Sequence, residues 1–179
     1  GSLTVHPATD RPDLLAAPVA KAIAELAPAN QDRCSVAEID PDLADTAAFC
    51  ATYGSPLSAS ANCVVVAGKR DGELRYAACL VMATGRADVN GVVRRRLDVR
   101  KASFAPMDDA VAVTGMAYGG ITPFGLPAGW PLLIDAAVAS APELVVGSGV
   151  QRSKLLVPGD VLAALPGAEV IEGLGRTVE

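Results

Sequence analysis

At 179 residues the chain has room for one sizeable hydrophobic core and little for a second, which predicts a single domain over residues 3–179. A net charge of −5 speaks against binding nucleic acid, DNA included, over a large surface, because such binding runs on phosphate neutralisation. No apolar stretch approaches the ~18 residues that a bilayer span needs, so no membrane association is expected.

The elements follow in chain order. Residues 13–27 carry apolar side chains at helical spacing, with Asp13 as a cap, Pro28 as a stop, and Pro18 as either a kink or the true start. "CSVAEID" alternates like a strand, and 42–53 reads as a second helix ended by Gly54. "NCVVVAG" and "RYAACLVMA" form a hairpin across Asp71-Gly72. Asn90 caps a short helix through Leu97, Asp88 closes the turn before it, "KASFA" is a strand, and Pro106 opens another helix. "PLLID", "ELVVGSG" and "SKLLV" are strands, 158–165 is a helix, and "AEVIE" closes the sheet. Strands and helices are intermixed with hairpin joins, which predicts a mixed α/β sheet rather than a purely parallel one.

Much familiar chemistry is missing. The one histidine, His6, lies in a Pro-flanked segment expected to be mobile, which argues against Ser-His-Asp and Cys-His catalysis and against a zinc hydrolase. Cys34, Cys50, Cys63 and Cys79 stand singly, with no C-x-x-C pair. They read as free thiols in a reducing compartment, and with no basic-then-apolar leader the expected location is the cytoplasm. There is no G-x-S-x-G elbow and no phosphate loop, and "GSGVQR" has Arg152 where a dinucleotide fingerprint wants glycine. No metal and no cofactor are expected. Against the acidic background, Arg94, Arg95, Arg96, Arg100 and Lys101 put five cations into eight residues, either a solvated helix face or a small phosphate-contacting patch.

The most unusual stretch is "TGMAYGGITPFGLPAGWPLLID", residues 114–135, dense in glycine and proline. Gly119-Gly120 permit positive φ and close approach of a ligand to the backbone, and Pro123 pushes Thr122 toward an extended shape. Such a loop can aim N–H groups at one oxygen. It can equally be a tight crossover between strands, and the residues alone leave both readings open.

"TGMAYGGITPFG", followed by "PLLID" and "VVGSG", with "KASFAPMDDAVAVTG" before them, resembles the YbaK/prolyl-tRNA-synthetase-associated-domain family over residues 55–165. The resemblance implies a compact mixed α/β fold with a partly barrel-like sheet and helices outside. It implies trans-acting hydrolysis of mischarged aminoacyl-tRNA, often tRNA for proline, without a cofactor, with aminoacyl-tRNA and an aminoacyl-tRNA synthetase as partners. An aminoacyl ester is already activated, so positioning and carbonyl polarisation carry much of the rate. On this resemblance Gly119 and Gly120 act on the ester, and Ile121, Thr122 and Pro123 complete the pocket-lining segment. Thr114, Asp135, Ser148 and Gly149 are further substrate-side candidates, and Arg95, Arg96 and Arg100 are candidates for tRNA contact.

One departure stands out. Family members carry a lysine just before the apolar strand, where "SANCVVV" places Asn62. Asn donates hydrogen bonds but brings no charge, so either Lys154 or Arg152 supplies a cation or the activity differs from that of other members. Thr114 and Asp135 have plain structural alternatives, as a strand end and a helix cap. Tyr118, Phe124 and Trp130 either stack on the terminal adenosine or cover the core. Two further functional readings stay open beside the deacylase: a binding module of the same fold without turnover, and a small-molecule ester or amide hydrolase unrelated to tRNA. The deacylase reading expects a groove walled by residues 115–124, with Asn62 and Ser148 opening onto it.

Overall fold

The computed structural model describes residues 3–177, so the last two residues of the predicted domain lie outside it. Eleven strands form two open sheets and a ribbon. The first sheet is antiparallel throughout, in the order β1 (Val5–Pro7), β2 (Ser35–Glu38), β9 (Ser153–Val157), β8 (Leu144–Gly147). The second runs β10 (Ala168–Ile171), β7 (Leu132–Asp135), β4 (Glu73–Met82), β3 (Ala61–Arg70), β6 (Ala102–Phe104). Here β10, β7 and β4 are parallel, while β4, β3 and β6 are antiparallel neighbours. The fold is therefore mixed α/β, with no closed barrel among the described residues. A parallel bridge from Ser60 to Val145 joins the start of β3 to β8, and β5 (Gly85–Ala87) pairs with β11 (Gly175–Thr177) as the ribbon.

Period-two alternation explains the layers. On β4, Ala78 and Leu80 face the first sheet, where they meet Val36, Val146 and Leu155. Their neighbours Ala77, Cys79 and Val81 face the other way, against Val93, Leu97 and Val99. Burial on both faces is why "YAACLVM" reads as a continuous apolar run rather than an alternating one.

Helix α1 (Ala17–Ala24) begins one residue before Pro18, which sits in its first turn, so the proline marks the start of the helix and not a kink. Pro28 opens the short α2 (Pro28–Gln31). In α3 (Thr46–Tyr53) the Asp45 carboxylate accepts the Ala48 N–H at the N-terminus, and Gly54 closes the other end at φ 68°. The segment Val89–Val93 is π-helical and continues into α4 (Arg94–Leu97). Its cap is Asp88 rather than Asn90, with the carboxylate accepting from the Gly91 and Val92 N–H groups. Burial opposes ionisation of Asp88, but those two donors and the Arg176 guanidinium outweigh it and hold the carboxyl below the usual range. Three further helices complete the chain: α5 (Met107–Thr114), α6 (Ala136–Ala139) and α7 (Gly159–Ala163). No helix of the described residues is long and apolar enough to cross a membrane.

Two further expectations need correction. His6 is not in a loose segment: β1 pairs it with Val36, and Leu3 ahead of the strand packs against the cluster of Ile39, Phe49 and Val145. Thr114 ends a helix instead of a strand, and its hydroxyl donates to the Ala110 carbonyl one turn back. The ribbon strands β5 and β11 carry no alternating pattern long enough to announce them. Leu80, fully buried at the centre of the second sheet, tests the packing. Leu80→Ala is expected to cost about 2–5 kcal/mol in urea unfolding.

Candidate functional site

A cavity of about 350 Å³ opens where the start of β3, the end of β8, α3 and the Gly/Pro stretch meet. Asn62 and Cys63 come from β3, Thr46 and Phe49 from α3, Lys154 from β9, and Tyr118, Gly119 and Ile121 from the glycine loop. The strand pairing sets this convergence. Lys154 sits opposite both Gly147 and Ala37 in the middle of the first sheet. Asn62 is the second residue of β3, next to the bridge that ties the start of that strand to β8.

The loop is a tight turn. The Gly120 N–H donates to the Ala117 carbonyl, and Gly119 sits at φ 77°, the left-handed third position of a type II turn. The Tyr118 carbonyl accepts from the Gln151 side chain, so across the planar trans peptide the Gly119 N–H points the opposite way. That N–H makes no hydrogen bond among the described residues. Behind the turn lies bare backbone: Gly149 N–H donates to the Gly120 carbonyl at 2.7 Å, and the Ala117 N–H donates to the Gly149 carbonyl. A Cβ on Gly120 would lie 2.7 Å from the Val150 carbonyl oxygen, and one on Gly147 would lie 2.6 Å from the Gly120 carbonyl oxygen.

Lys154 is only 6% exposed. Its ammonium donates to the Ala44 carbonyl at 2.7 Å and lies 5.8 Å from the Phe49 ring centroid, with no ion pair among the described residues. Burial pulls its pKa below the ordinary lysine value, and the negative charge of Asp45 offsets that in part. An ammonium has three donors and this one spends a single donor on the protein. Asn62 is similarly half-engaged: its side-chain carbonyl accepts from the Thr46 hydroxyl at 2.8 Å, and its NH₂ makes no hydrogen bond among the described residues. Cys63 lines the same cavity, but burial first and the neighbouring Cys79 second push its thiol far up, which makes it a poor nucleophile.

The other candidates lie apart from this wall. The Ser148 hydroxyl is fully buried and bonds to the Val150 and Ser153 carbonyls and to the Ser153 hydroxyl, so it does not open onto the cavity. Gly149 backs onto Ala16, within 2.4 Å of a would-be Cβ. Thr122 is fully buried, and its hydroxyl has no partner among the described residues. Pro123 lines a second cavity of about 430 Å³ that it shares with Trp130, which stacks on Tyr76. Phe124 is core, whereas Tyr118 is 61% exposed at the rim of the first cavity. Asp135 ends β7 opposite Ile171 and begins α6, without bonding that helix through its side chain. Arg152 donates to the Asp13 carbonyl, well apart from Lys154 in role. Arg96 pairs with Glu169, and Arg95 and Arg100 are exposed; none of the three lines the first cavity. Phe49 and Thr46 are site residues that no motif announced, because they come from a helix outside the glycine stretch.

The aminoacyl-tRNA editing domain model matches residues 40–165. The chain belongs to this family. Among solved structures, a candidate trans-editing enzyme for prolyl tRNA synthetase is 21% identical, with a TM-score of 0.71, over 90% of this chain and 99% of that one. A scaffold used for computational epitope grafting is 22% identical at a TM-score of 0.73 over 90% and 97%. The hypothetical protein APE2540 is 19% identical at 0.73 over 87% and 99%. At such identities these likenesses concern the fold. No curated protein matches in sequence.

The two adjacent glycines separate by their surroundings. A Cβ on Gly119 would meet only the Ala44 side chain at 3.7 Å, so Gly119→Ala carries the left-handed penalty of about 1–2 kcal/mol. Gly120→Ala must push backbone off backbone, and thermal unfolding is expected to show the larger loss there.

Proposed function

We propose that the chain is a trans-acting deacylase that hydrolyses mischarged aminoacyl-tRNA in the cytoplasm, as one editing domain spanning residues 3–179, with tRNA for proline the first candidate. The observation that carries this reading is that one cavity is lined by three residues with under-used donors: Lys154 with its ammonium, Asn62 with its NH₂ and Gly119 with its N–H. Spare donors of this kind suit an ester carbonyl whose oxygen becomes negative in the transition state.

In the proposed step a water oxygen adds to the ester carbon and the carbonyl oxygen takes up the negative charge. The bond to the ribose oxygen then breaks, and that oxygen leaves carrying a proton that came from the water. Gly119 and Asn62 orient the carbonyl, while Lys154 supplies from β9 the charge that Asn62 cannot. Gly120 acts at one remove, because its carbonyl holds the Gly149 N–H and keeps the turn seated. A binding module without turnover is the second reading. It is favoured by one observation: among the described lining residues, Asp45 already caps α3 and Cys63 is held protonated, which leaves no obvious protein base.

Deacylation of a panel of mischarged tRNAs tests both readings. Lys154→Met is expected to lower kcat/KM by 10²-fold or more, the scale of one lost oxyanion partner. Its stability is expected to hold or rise, since a buried, poorly paired charge is removed. Asn62→Lys placed in that background is expected to recover part of the rate. A wild type inert toward every aminoacyl-tRNA leaves the binding module.

The acid–base sign follows from the lowered pKa. Lys154 loses its proton at a lower pH than ordinary lysine, so a cationic role makes the enzyme-dependent rate fall as pH rises through that value. A rate that rises there and stays high in Lys154→Met contradicts the cationic role.

A further inference from the structure

Charge is strongly segregated in this acidic chain. Nine of the fifteen Lys and Arg lie between Lys69 and Lys101, against four of the twenty Asp and Glu. The fold brings part of this set together. The helix through Leu97 covers the outer side of the second sheet, and Arg70 and Arg75 reach its C-terminal end at Asp98 and Leu97. Arg86 stands directly opposite Arg176 across the ribbon, an arrangement of like charges that costs stability unless an anion sits nearby. Asp88 offsets only Arg176, and Arg86 has no ion pair among the described residues.

From this face the chain leads to the cavity. Arg100 and Lys101 are exposed and run into β6, whose Phe104 is 50% exposed and shares a cavity of about 400 Å³ with Arg86, Asn90 and Arg176. Three residues on, Met107 is 43% exposed and lines the cavity of Lys154, and Tyr118 stands on the same rim at 61%. Single exposed apolar side chains are ordinary, but here Phe104 and Met107 follow the cations along the chain, and Met107 and Tyr118 both line the cavity. Lys101 to Met107 spans at most about 22 Å of chain, the reach of a few nucleotides stacked at ~3.4 Å each.

We propose that Phe104, Met107 and Tyr118 form a stacking track that leads a single-stranded RNA 3′ end from the basic face around Arg86, Arg100 and Lys101 into the cavity of Lys154. The proposal rests on the deacylase reading for the chemistry at the end of the track, but the track itself is a binding surface. Cations that follow the backbone and rings that take the bases are the combination by which single strands are held. A protein partner would suit the apolar residues but not the unpaired guanidiniums beside them.

The test uses the intact protein and a labelled single-stranded RNA dodecamer ending in CCA, with binding followed by anisotropy at several salt concentrations. Phe104→Ala is expected to weaken binding about 5- to 150-fold with little change in salt slope, as for one lost stacked base. Arg100→Glu with Lys101→Glu is expected to flatten the slope by the loss of two phosphate contacts. A blunt RNA duplex is expected to compete poorly. Deacylation of full aminoacyl-tRNA should fall in Phe104→Ala, while hydrolysis of an aminoacyl-adenosine, too short to reach the track, should not. Wild-type affinity in Phe104→Ala, or equal competition by the duplex, overturns the track. A wild type inert toward both esters but with the expected RNA binding overturns the deacylase and leaves the track standing.

Discussion

Backbone packed on backbone is the constraint from which the site follows. The turn at Gly119-Gly120 and the strand end at Gly147–Val150 approach so closely that Gly120 and Gly147 have no room for a Cβ. The Gly149 N–H and the Gly120 carbonyl close the contact at 2.7 Å. The same strand end is pinned from beneath: Ser148 and Ser153 bond to one another, and Ser153 donates to the Leu14 carbonyl in the segment before α1. A loop that must expose an unpaired N–H is flexible by default, so its stiffness has to come from behind it. The small residues supply that stiffness by removing side chains from the contact, and the turn is held as rigidly as the sheet it leans on.

The second feature is an energetic imbalance. A lysine ammonium buried to 6% exposure with one carbonyl acceptor and a ring nearby is expensive, and burial lowers its affinity for a proton accordingly. A stable fold would place a carboxylate within reach or a methionine in its place. Asp45 lies close enough to offset the loss, but its carboxylate caps α3 and makes no salt bridge to Lys154. The donors left over are therefore available to a ligand oxygen. Editing-family membership fits that availability, because an ester carbonyl brings the charge the site lacks only as the reaction proceeds, which is where binding is most useful.

Much of this was legible in the residues. The hairpin at Asp71-Gly72, with φ of 52° and 79°, the apolar strands and the glycine turn each follow from local chemistry that sequence displays. Lys154 was visible as one of two candidate cations, but only the pairing of β9 with β8 and β2 decides between it and Arg152, which is turned toward Asp13. Ser148 and Gly149 looked like ligand-facing residues because small residues after a strand suit that role. They suit close packing equally well, and sequence does not say which face of a turn is occupied. Thr46 and Phe49 went unseen because α3 has an ordinary composition, and its place beside Asn62 is a tertiary fact. The ribbon of β5 and β11 escaped notice because three-residue strands have no period.

On the proposed deacylase reading, much of the selectivity in this cavity comes from shape. Phe49, Ala61, Ile121, Val145 and Val146 form the apolar part of the wall, beside the polar Asp45, Thr46 and Ser60, and the apolar part discriminates by fit alone. An apolar pocket distinguishes one methylene by only about 1–3 kcal/mol when it merely attracts. Exclusion is sharper, provided the wall does not yield. Here β3 and β8 are bridged at Ser60 and Val145, and β4 and β9 hold each strand from its other edge. A larger acyl group would have to spread two sheets that share one core, at the cost of contacts on both. On the proposed reading, the rigidity that seats the glycine turn also sets an upper size limit on the acyl group, so that one constraint serves both the chemistry and the choice of substrate.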